Sequence, residues 1–305
     1  MTTGSLVLEP GQFEPPAGQI TFLYLPAQDL FVRRAARLRQ LANGHALGGY
    51  LQFLASLADT QQTALQRLPA PVLPAPDEQR LCRQHGMPLL SATTWPREPV
   101  WHEALSAILR QMSQIDLPVA AQETIRSLAR QTPAYLERQA GLMLMEEWEE
   151  LQPNEAPFIG AALQVYWLRL ASALDAQTVG RLEPSGRCPV CGSRPVAGMV
   201  RGDGLRYLSC SLCSCQWHLV RVTCSSCRST QGINLHTLHG ADDPVRAESC
   251  DACNSYLKLL YLEKEGLLDP IADDLATLAL DMLLEHEGFL NAGSNLLFHP
   301  GRGPE

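Results

Sequence analysis

The chain of 305 residues lacks the sequence features that mark several common classes of protein. It has no run of apolar residues long enough to cross a bilayer as a helix, so the sequence gives no indication of membrane insertion. The glycine-rich dinucleotide loop, the Walker A loop and the nucleophile elbow of serine hydrolases are also missing. No catalytic constellation stands out, and we expect a protein that is not an enzyme.

Lysine and bulk positive charge are scarce as well. Lys258 and Lys264 are the only lysines, and the formal net charge is -8, which argues against a general nucleic-acid binder. Eight arginines nevertheless fall in residues 181–246, whereas residues 247–305 hold eleven acidic side chains. The N-terminus has neither the basic nor the apolar segment of a secretion signal. We therefore expect a cytoplasmic protein with reduced thiols.

Cysteine is almost absent from the first 187 residues and then becomes abundant. Nine of the ten cysteines fall in residues 188–253, and only Cys82 lies outside this segment. Eight of the nine form four C-x-x-C pairs, namely Cys188/Cys191, Cys210/Cys213, Cys224/Cys227 and Cys250/Cys253. Two thiolates on one tight turn can hold one side of an ion, and a second turn completes the tetrahedron.

The spacing of the pairs predicts two tetrathiolate metal sites in tandem. Within each half, only 18 or 22 residues separate one pair from the next, as in zinc ribbons and rubredoxins. Four thiolates suit iron or zinc, and the residues leave both metals open. The predicted ligands are Cys188, Cys191, Cys210 and Cys213 for site 1, and Cys224, Cys227, Cys250 and Cys253 for site 2.

Other roles for these residues are less favoured. A reducing compartment argues against disulfides, and no βαβ unit surrounds the pairs as it would in a thioredoxin-like protein. A complete sphere of four sulfurs leaves no position for a hydrolytic water. Ordinary packing or hydrogen bonding is therefore expected for the remaining cysteines and histidines of interest, which are Cys82, Cys215, His218, His236 and His239.

Local patterns predict short strands between the cysteine pairs. Residues 195–200 and 205–208 flank a glycine-rich turn at 202–204, and residues 217–222 are aromatic and β-branched. Gly192 follows the first pair and is expected to adopt the left-handed conformation that directs backbone N–H groups towards sulfur. Each half therefore resembles a small rubredoxin-like or zinc-ribbon module, and the two halves form an internal repeat.

The remainder of the chain is predicted to be mainly helical. Residues 1–28 are proline-rich and read as an extended arm, and residues 29–180 predict a bundle of about six helices. Asp29 is a candidate N-cap, residues 69–76 are expected to form a stiff linker, and four of the helices lie in residues 100–176. The helix that covers residues 158–170 is nearly apolar and is expected to be central. The glutamates at positions 146, 147, 149 and 150 suggest a solvated helix face.

An acidic helix is expected near the end of the chain. Asp269 followed by Pro270 predicts an N-cap and a first-turn proline, with the helix continuing to about Glu287 and packing on the bundle or the metal modules. The predicted fold is thus an α plus small β protein. Its expected units are the arm (1–28), the bundle (29–180), the first module (181–223), the second module (224–262) and the C-terminal helix and tail (263–305).

The residues around the cysteines resemble those of a known family. The segments are Arg-Cys-Pro-Val-Cys-Gly-Ser at 187–193, Gly-Leu-Arg-Tyr-Leu at 204–208, Trp-His-Leu-Val-Arg-Val at 217–222 and Ala-Glu-Ser-Cys-Asp-Ala-Cys at 247–253. Residues 256–258, 272–276 and 287–289 are similar too. Together they resemble the formate dehydrogenase accessory proteins of the FdhE type.

This resemblance implies a specific function. It implies a cytoplasmic, non-catalytic maturation factor that binds the catalytic subunit of respiratory formate dehydrogenase before twin-arginine export. It also implies that both sites hold iron, with zinc as the other candidate. The resemblance assigns no role to Cys215. Two alternatives remain open, a zinc-ribbon adaptor for nucleic acids and an electron carrier of rubredoxin type.

Overall fold

A computed structural model describes residues 20–182, 186–240 and 242–298. The helical part precedes the cysteine-rich part, as predicted. Within the described residues it contains seven α-helices rather than six: α1 (Leu30–Ala42), α2 (Gly48–Arg67), α3 (Pro76–Gln84), α4 (Val100–Met112), α5 (Val119–Leu128), α6 (Pro133–Met145) and α7 (Ala156–Ser172). The four helices expected in residues 100–176 are confirmed.

The additional helix, α3, begins at the end of the predicted linker. Pro76 occupies its first turn, and the Glu78 carboxylate accepts a hydrogen bond of 2.9 Å from the backbone N–H of Ala75. A proline at this position fits a helix because its missing N–H would have no partner in the first turn. The linker expected over residues 69–76 therefore ends one residue early, because Pro76 starts a helix.

Helix α7 is the centre of the helical part, as its apolar sequence predicted. All of its residues from Ala156 to Ala171 are buried. Helix α1 packs on α2, and α2 and α4 both pack on α7. Asp29 precedes α1 as expected, but its side chain does not cap the helix; it forms an exposed ion pair of 3.1 Å with Arg33 instead.

The strands form one continuous sheet. They are β1 (Leu23–Tyr24), β2 (Pro195–Val200), β3 (Arg206–Cys210), β4 (Gln216–His218), β5 (Ile233–His236), β6 (Val245–Cys250), β7 (Ser255–Tyr261) and β8 (Leu290–Asn291). Their order is β1-β4-β3-β2-β7-β6-β5, and β8 pairs with β7. The predicted α plus small β class is confirmed. The two cysteine-rich halves meet where β2 pairs in parallel with β7.

The part of the predicted arm that the structure describes joins this sheet. Strand β1 pairs antiparallel with β4, so that Leu23 faces Trp217 across the ladder. The rest of the predicted arm, residues 1–19, lies outside the described residues. The arm therefore contributes an edge strand to the cysteine-rich part of the protein.

The strand predicted over residues 217–222 is shorter than expected and covers only Gln216–His218. The buried guanidinium of Arg206 donates hydrogen bonds to the carbonyls of Val220, at 2.7 Å, and Thr223, at 2.6 Å. Val222 has a φ of 57°, which is incompatible with a strand. The chain therefore leaves the sheet and wraps around one arginine before it reaches site 2.

The single acidic helix predicted near the end of the chain is two helices, α8 (Pro270–Ala276) and α9 (Leu278–His286). Asp269 caps α8 as predicted, because its carboxylate accepts from the backbone N–H groups of Ile271 and Ala272. The break lies at Thr277, whose hydroxyl bonds to the carbonyls of Asp273 and Asp274. Such local side-chain bonds compete with the helical ladder.

Two buried ion pairs fasten α8 to α1. Arg34 donates to the Asp269 carboxylate at 3.1 and 3.3 Å, and Arg37 binds the Asp273 carboxylate with a shortest contact of 2.7 Å. Both arginines are at most 7% exposed. Burial raises the pKa of Asp273, although Arg37 acts in the opposite direction. These contacts join the start of the helical part to the end of the described chain.

The acidic run near residue 148 is not a continuous helix face. Helix α6 ends at Met145, and Trp148–Glu150 forms a short 3-10 turn. Glu146 adopts a left-handed φ of 63° and contacts Arg194 at 2.7 Å, so it links the helical part to the sheet. Among the residues that the structure describes, no helix has the length and apolar character needed to span a membrane.

Candidate metal centres

The structure brings the eight predicted cysteines together in two groups of four. In site 1, the Sγ atoms of Cys191 and Cys210 are 3.3 Å apart, and Cys213 lies 3.5 Å from Cys188 and 3.6 Å from Cys191. In each group, all four sulfurs lie within 4.8 Å of one another. The four C-x-x-C turns therefore place the sulfurs of each predicted set of ligands next to one another.

The sulfur separations match a tetrahedral metal site. A metal–sulfur bond of about 2.3 Å places the corners of a tetrahedron about 3.8 Å apart. In site 2, the Sγ atoms of Cys224 and Cys253 are 3.7 Å apart, and those of Cys227 and Cys250 are 3.6 Å apart. Disulfide sulfurs would be bonded at about 2 Å, and all ten cysteines are free. Each group could hold one metal ion.

All four C-x-x-C turns share one backbone design. The residue after each pair has a positive φ: Gly192 at 76°, Ser214 at 59°, Arg228 at 71° and Asn254 at 51°. This confirms the expectation for Gly192, and it shows that residues with side chains take the same conformation at the other three turns. The strain of that conformation in non-glycine residues is offset by the N–H groups that the turn directs towards sulfur.

Those N–H groups are visible in both sites. The Sγ of Cys210 accepts from the backbone N–H of Leu212 and Cys213, both at 3.4 Å. The Sγ of Cys224 accepts from Ser226 at 3.3 Å and from Cys227 at 3.5 Å. Burial acts to raise the pKa of the Cys224 thiol, but these bonds and the Ser255 hydroxyl lower it to about 7. The turn of site 2 thus favours a thiolate at Cys224, the form that binds metal, whereas burial raises the pKa of the Cys210 thiol in site 1.

The two sites differ sharply in burial. The four cysteines of site 1 are at most 1% exposed and belong to the main hydrophobic core. In site 2, Cys224 and Cys250 are buried, Cys253 is half-buried and Cys227 is exposed. The internal repeat seen in the sequence therefore places one site in the interior and the other at the surface.

The helical part holds both turns of site 1. The carbonyls of Val190 and Cys191 accept hydrogen bonds of 2.8 Å from the backbone of Leu90 and Ala92. The carbonyl of Ser211 accepts a bond of 2.9 Å from the Gln164 side chain of α7. Gln164 is fully buried. Gln164 is not among the residues predicted from the sequence. A glutamine in the otherwise nearly apolar α7 is the signal that could have identified it, because a buried polar side chain needs a hydrogen-bond partner.

A cavity of about 700 Å³ lies between the first turns of the two sites. Its lining includes Cys191, Ser225 and Ser226, together with the ion-paired Glu146 and Arg194. The solvated helix face expected for the glutamate run does not include Glu146, which pairs with Arg194 beside the sheet and lines this cavity. Nothing in the local sequence indicates that contact, because it joins residues far apart in the chain.

The other residues considered from sequence have roles outside the two groups of four. His236 shares a hydrogen bond of 2.8 Å with Ser249, His239 is exposed, and burial lowers the pKa of His218, with nearby arginines acting in the same direction. Cys215 is completely buried beside site 1, and the half-buried Cys82 packs against the core. The expected bonding or packing is thus observed for His236, Cys215 and Cys82.

Comparison with protein families gives matches along almost the whole described chain. Three family models match in succession: "FdhE, N-terminal" over residues 20–183, "FdhE, central domain" over residues 187–221 and "FdhE, C-terminal domain" over residues 222–298. The central match contains site 1, and the C-terminal match contains site 2. The family signal therefore coincides with both cysteine groups.

Individual relatives agree with these matches. A "Protein FdhE homolog" of Pseudomonas putida is 42% identical over 98% of this chain and 96% of its own length. One of Stutzerimonas stutzeri is 40% identical, with 97% and 98% covered. The crystal structure of the FdhE protein from Pseudomonas aeruginosa superposes with a TM-score of 0.86 at 40% identity, covering 92% of this chain and 100% of that one.

Proposed function

Because the chain belongs to the FdhE family, we propose that it is an accessory protein in the maturation of respiratory formate dehydrogenase. In this proposal it binds the catalytic subunit of the enzyme in the cytoplasm, before twin-arginine export, and performs no catalysis of its own. The observation that carries the proposal is the family match over nearly the full chain, together with the FdhE-like residues around both cysteine groups.

The geometry of the cysteine groups supports a scaffold or sensor rather than a hydrolytic enzyme. Each group offers four sulfurs, which would complete the coordination of one ion and leave no position for a reactive water. We propose that all eight cysteines are ligands and that each site holds iron, with zinc as the other candidate. Metal binding would supply folding free energy to the turns at the ends of the sheet.

The arginines of the cysteine-rich part support this proposal over a nucleic-acid adaptor. Arg206 is buried and paired with Glu248, and Arg194 is paired with Glu146. Arg201 lies over the rings of Tyr24 and Tyr207, at 4.1 and 4.8 Å from their centres. Guanidinium groups that already pair with carboxylates or lie over aromatic rings leave less positive charge to neutralise phosphates.

The test is anaerobic co-purification of the tagged full-length protein with a formate dehydrogenase catalytic subunit. The wild type and a Cys82→Ser control are expected to retain the subunit, because Cys82 belongs to neither site. Cys188→Ser and Cys250→Ser, which each remove one ligand, are expected to retain less of it. Absence of association with the wild type would contradict the proposed partner.

Metal analysis of the same anaerobic preparation separates the remaining alternatives. Two irons per chain with thiolate charge-transfer absorption are expected. Reversible one-electron reduction without any association with the subunit would favour an electron carrier. Zinc in place of iron would contradict the iron assignment and exclude that carrier, and salt-sensitive binding to DNA or RNA would support an adaptor.

A further inference from the structure

We propose that the two metal sites are functionally unequal: site 2 is the exchangeable site, opened at Cys227, and site 1 retains its metal as part of the core. The ligands that would enter site 2 are soft donors or chelators, such as a second thiol or a polycarboxylate. This inference rests on the proposed metal binding, but not on the identity of the protein partner.

The two sites differ in solvent access to their metal–sulfur bonds. Substitution at a tetrahedral site requires an entering donor to approach the ion from solvent. In site 1 every proposed ligand is at most 1% exposed, and only Cys191 borders the cavity between the two sites, so an approaching donor meets core side chains at the other three sulfurs. In site 2 the side chain of Cys227 is exposed and that of Cys253 is half-buried, so two of the four bonds border on solvent.

The two residues inside each C-x-x-C turn also differ between the sites. In site 1 they include Val190 and Leu212, which are fully buried and pack in the main core. In site 2 they include Ser226 and Asp251, which are exposed. Apolar residues at the tips of the turns bury site 1, and polar residues leave site 2 at the surface.

The helical part supports the turns of site 1 through hydrogen bonds. The turns of site 1 are bonded to the helical part at Val190, Cys191 and Ser211, through the backbone of Leu90 and Ala92 and the side chain of Gln164. Opening site 1 would therefore break hydrogen bonds between the cysteine-rich part and the helical part.

The turns of site 2 bond to the nearby strand β5 and its approach. The backbone N–H of Asp251 donates to Gly232 at 2.9 Å, and Asn234 donates to the Asp251 carboxylate at 2.9 Å. A local opening of site 2 leaves the interface between the helices and the sheet intact. Segments with exposed hydrogen bonds and few buried contacts open at lower free energy than the core does.

The exchange step is a simple substitution. The thiolate of Cys227 leaves the ion, the donor atom of the entering ligand takes its place, and the freed thiolate takes a proton from water. When iodoacetamide is present, the freed thiolate instead forms a carbon–sulfur bond and iodide leaves. No change of oxidation state is needed.

The test uses the full-length protein loaded with zinc and challenged with EDTA, while iodoacetamide labelling of each cysteine is followed by mass spectrometry. We expect one zinc to leave at least tenfold faster than the other. The cysteines of site 2, with Cys227 first, should be labelled at least tenfold faster than those of site 1. Because this measurement is made on the wild type, it does not depend on whether a variant folds.

A matched pair of variants adds a second readout. Cys227→Ser and Cys191→Ser replace the second cysteine of the first turn in each site. We expect Cys227→Ser to lose one zinc with helical circular dichroism preserved, and Cys191→Ser to lower the thermal midpoint by a larger amount. Equal release rates, or faster labelling of site 1, would overturn the inference. Failure of both sites to bind metal would contradict the proposed function as well.

Discussion

Cys215 occupies in site 1 the position that Ser255 occupies in site 2. Each lies five residues after the first cysteine of its turn: the backbone N–H of Cys210 donates to the carbonyl of Cys215 at 2.9 Å, and Cys250 faces Ser255 across the β6–β7 ladder. The Ser255 hydroxyl is 3.0 Å from the Sγ of Cys253. Cys215 thus adjoins the proposed ligands of site 1 and lies outside the group of four sulfurs.

This equivalence predicts that Cys215→Ser keeps both metals. A serine at this position is the residue that site 2 already uses, and its hydroxyl can hydrogen-bond to a neighbouring thiolate. Metal content after gel filtration should stay at two per chain. Cys213→Ser, two residues away, removes a proposed ligand and should lose one metal. A loss of metal from Cys215→Ser as large as that from Cys213→Ser would show that Cys215 is a ligand.

The buried pair of Arg34 and Asp269 predicts a large effect on stability. Arg34→Met leaves the Asp269 carboxylate without its partner in the interior, which typically costs about 3–5 kcal/mol. The neighbouring Arg33 supplies the control, because its pair with Asp29 is more than 60% exposed on both sides. Arg33→Met should cost less than about 1 kcal/mol. Urea unfolding measures the loss of unfolding free energy in each variant. Similar losses in the two variants would show that the buried pair contributes no more to stability than the exposed pair does.

Close packing at Gly160 predicts that Gly160→Ala is destabilising. A Cβ at this position in α7 would lie 2.4 Å from the backbone oxygen of Leu296, so the backbone must move. Overpacking of this kind costs about 1–3 kcal/mol. The control is Gly141→Ala in α6, where the new Cβ meets only the Cε of Met145 at 3.9 Å. That change should stabilise by up to about 1 kcal/mol. Thermal unfolding should show a lower midpoint for Gly160→Ala and an equal or higher midpoint for Gly141→Ala than for the wild type.

The pKa of Asp281 predicts a specific pH dependence. Burial raises it from 3.8 to about 6, although Lys258 acts in the opposite direction and Asp274 in the same one. The folded chain therefore holds this proton more tightly than the unfolded chain does. The resulting stabilisation is complete below about pH 4 and is lost as the pH rises through about 6.

Asp281→Asn removes this dependence and keeps an acceptor for the Tyr256 hydroxyl, which donates to the carboxylate at 2.8 Å. Lys258 keeps its ion pair with Asp274 at 3.0 Å. Between pH 7 and pH 5, the free energy of unfolding of the wild type should rise by about 1 kcal/mol relative to the variant. Metal loss at lower pH affects both proteins, so the difference between them is the quantity to measure. If the difference in unfolding free energy between the wild type and the variant is the same at pH 7 and pH 5, the pKa of Asp281 is not raised.

Local features of this fold could be predicted from the sequence. The cysteine groups, the left-handed Gly192 and the Asp269 cap depend on residues close together in the chain, and short patterns describe them well. The central position of α7 followed from its continuous apolar sequence. The difference in burial between the sites also had a local signal, the apolar Val190 and Leu212 against the polar Ser226 and Asp251.

Contacts between distant segments could not be predicted in the same way. The parallel pairing of β2 with β7 joins Gly198 to Leu259, and no periodicity in either strand identifies its partner. The shortened strand at residues 216–218 depends on Arg206, whose role as a buried anchor for a loop is invisible until the fold places Glu248 beside it. Single-sequence patterns report which faces are apolar, but not which segments meet.

The ion pairs between α1 and α8 make the final packing of the N-terminal helices depend on residues that are synthesised much later. Arg34 and Arg37 are among the first residues of the described chain to leave the ribosome, and their carboxylate partners follow 235 and 236 residues later. Until then, two guanidinium groups on α1 lack the charges that make their burial tolerable. The N-terminal helices therefore reach their final packing only after Asp269 and Asp273 have been synthesised, and a chain that stops before residue 269 would present an unfinished surface to cellular chaperones and proteases.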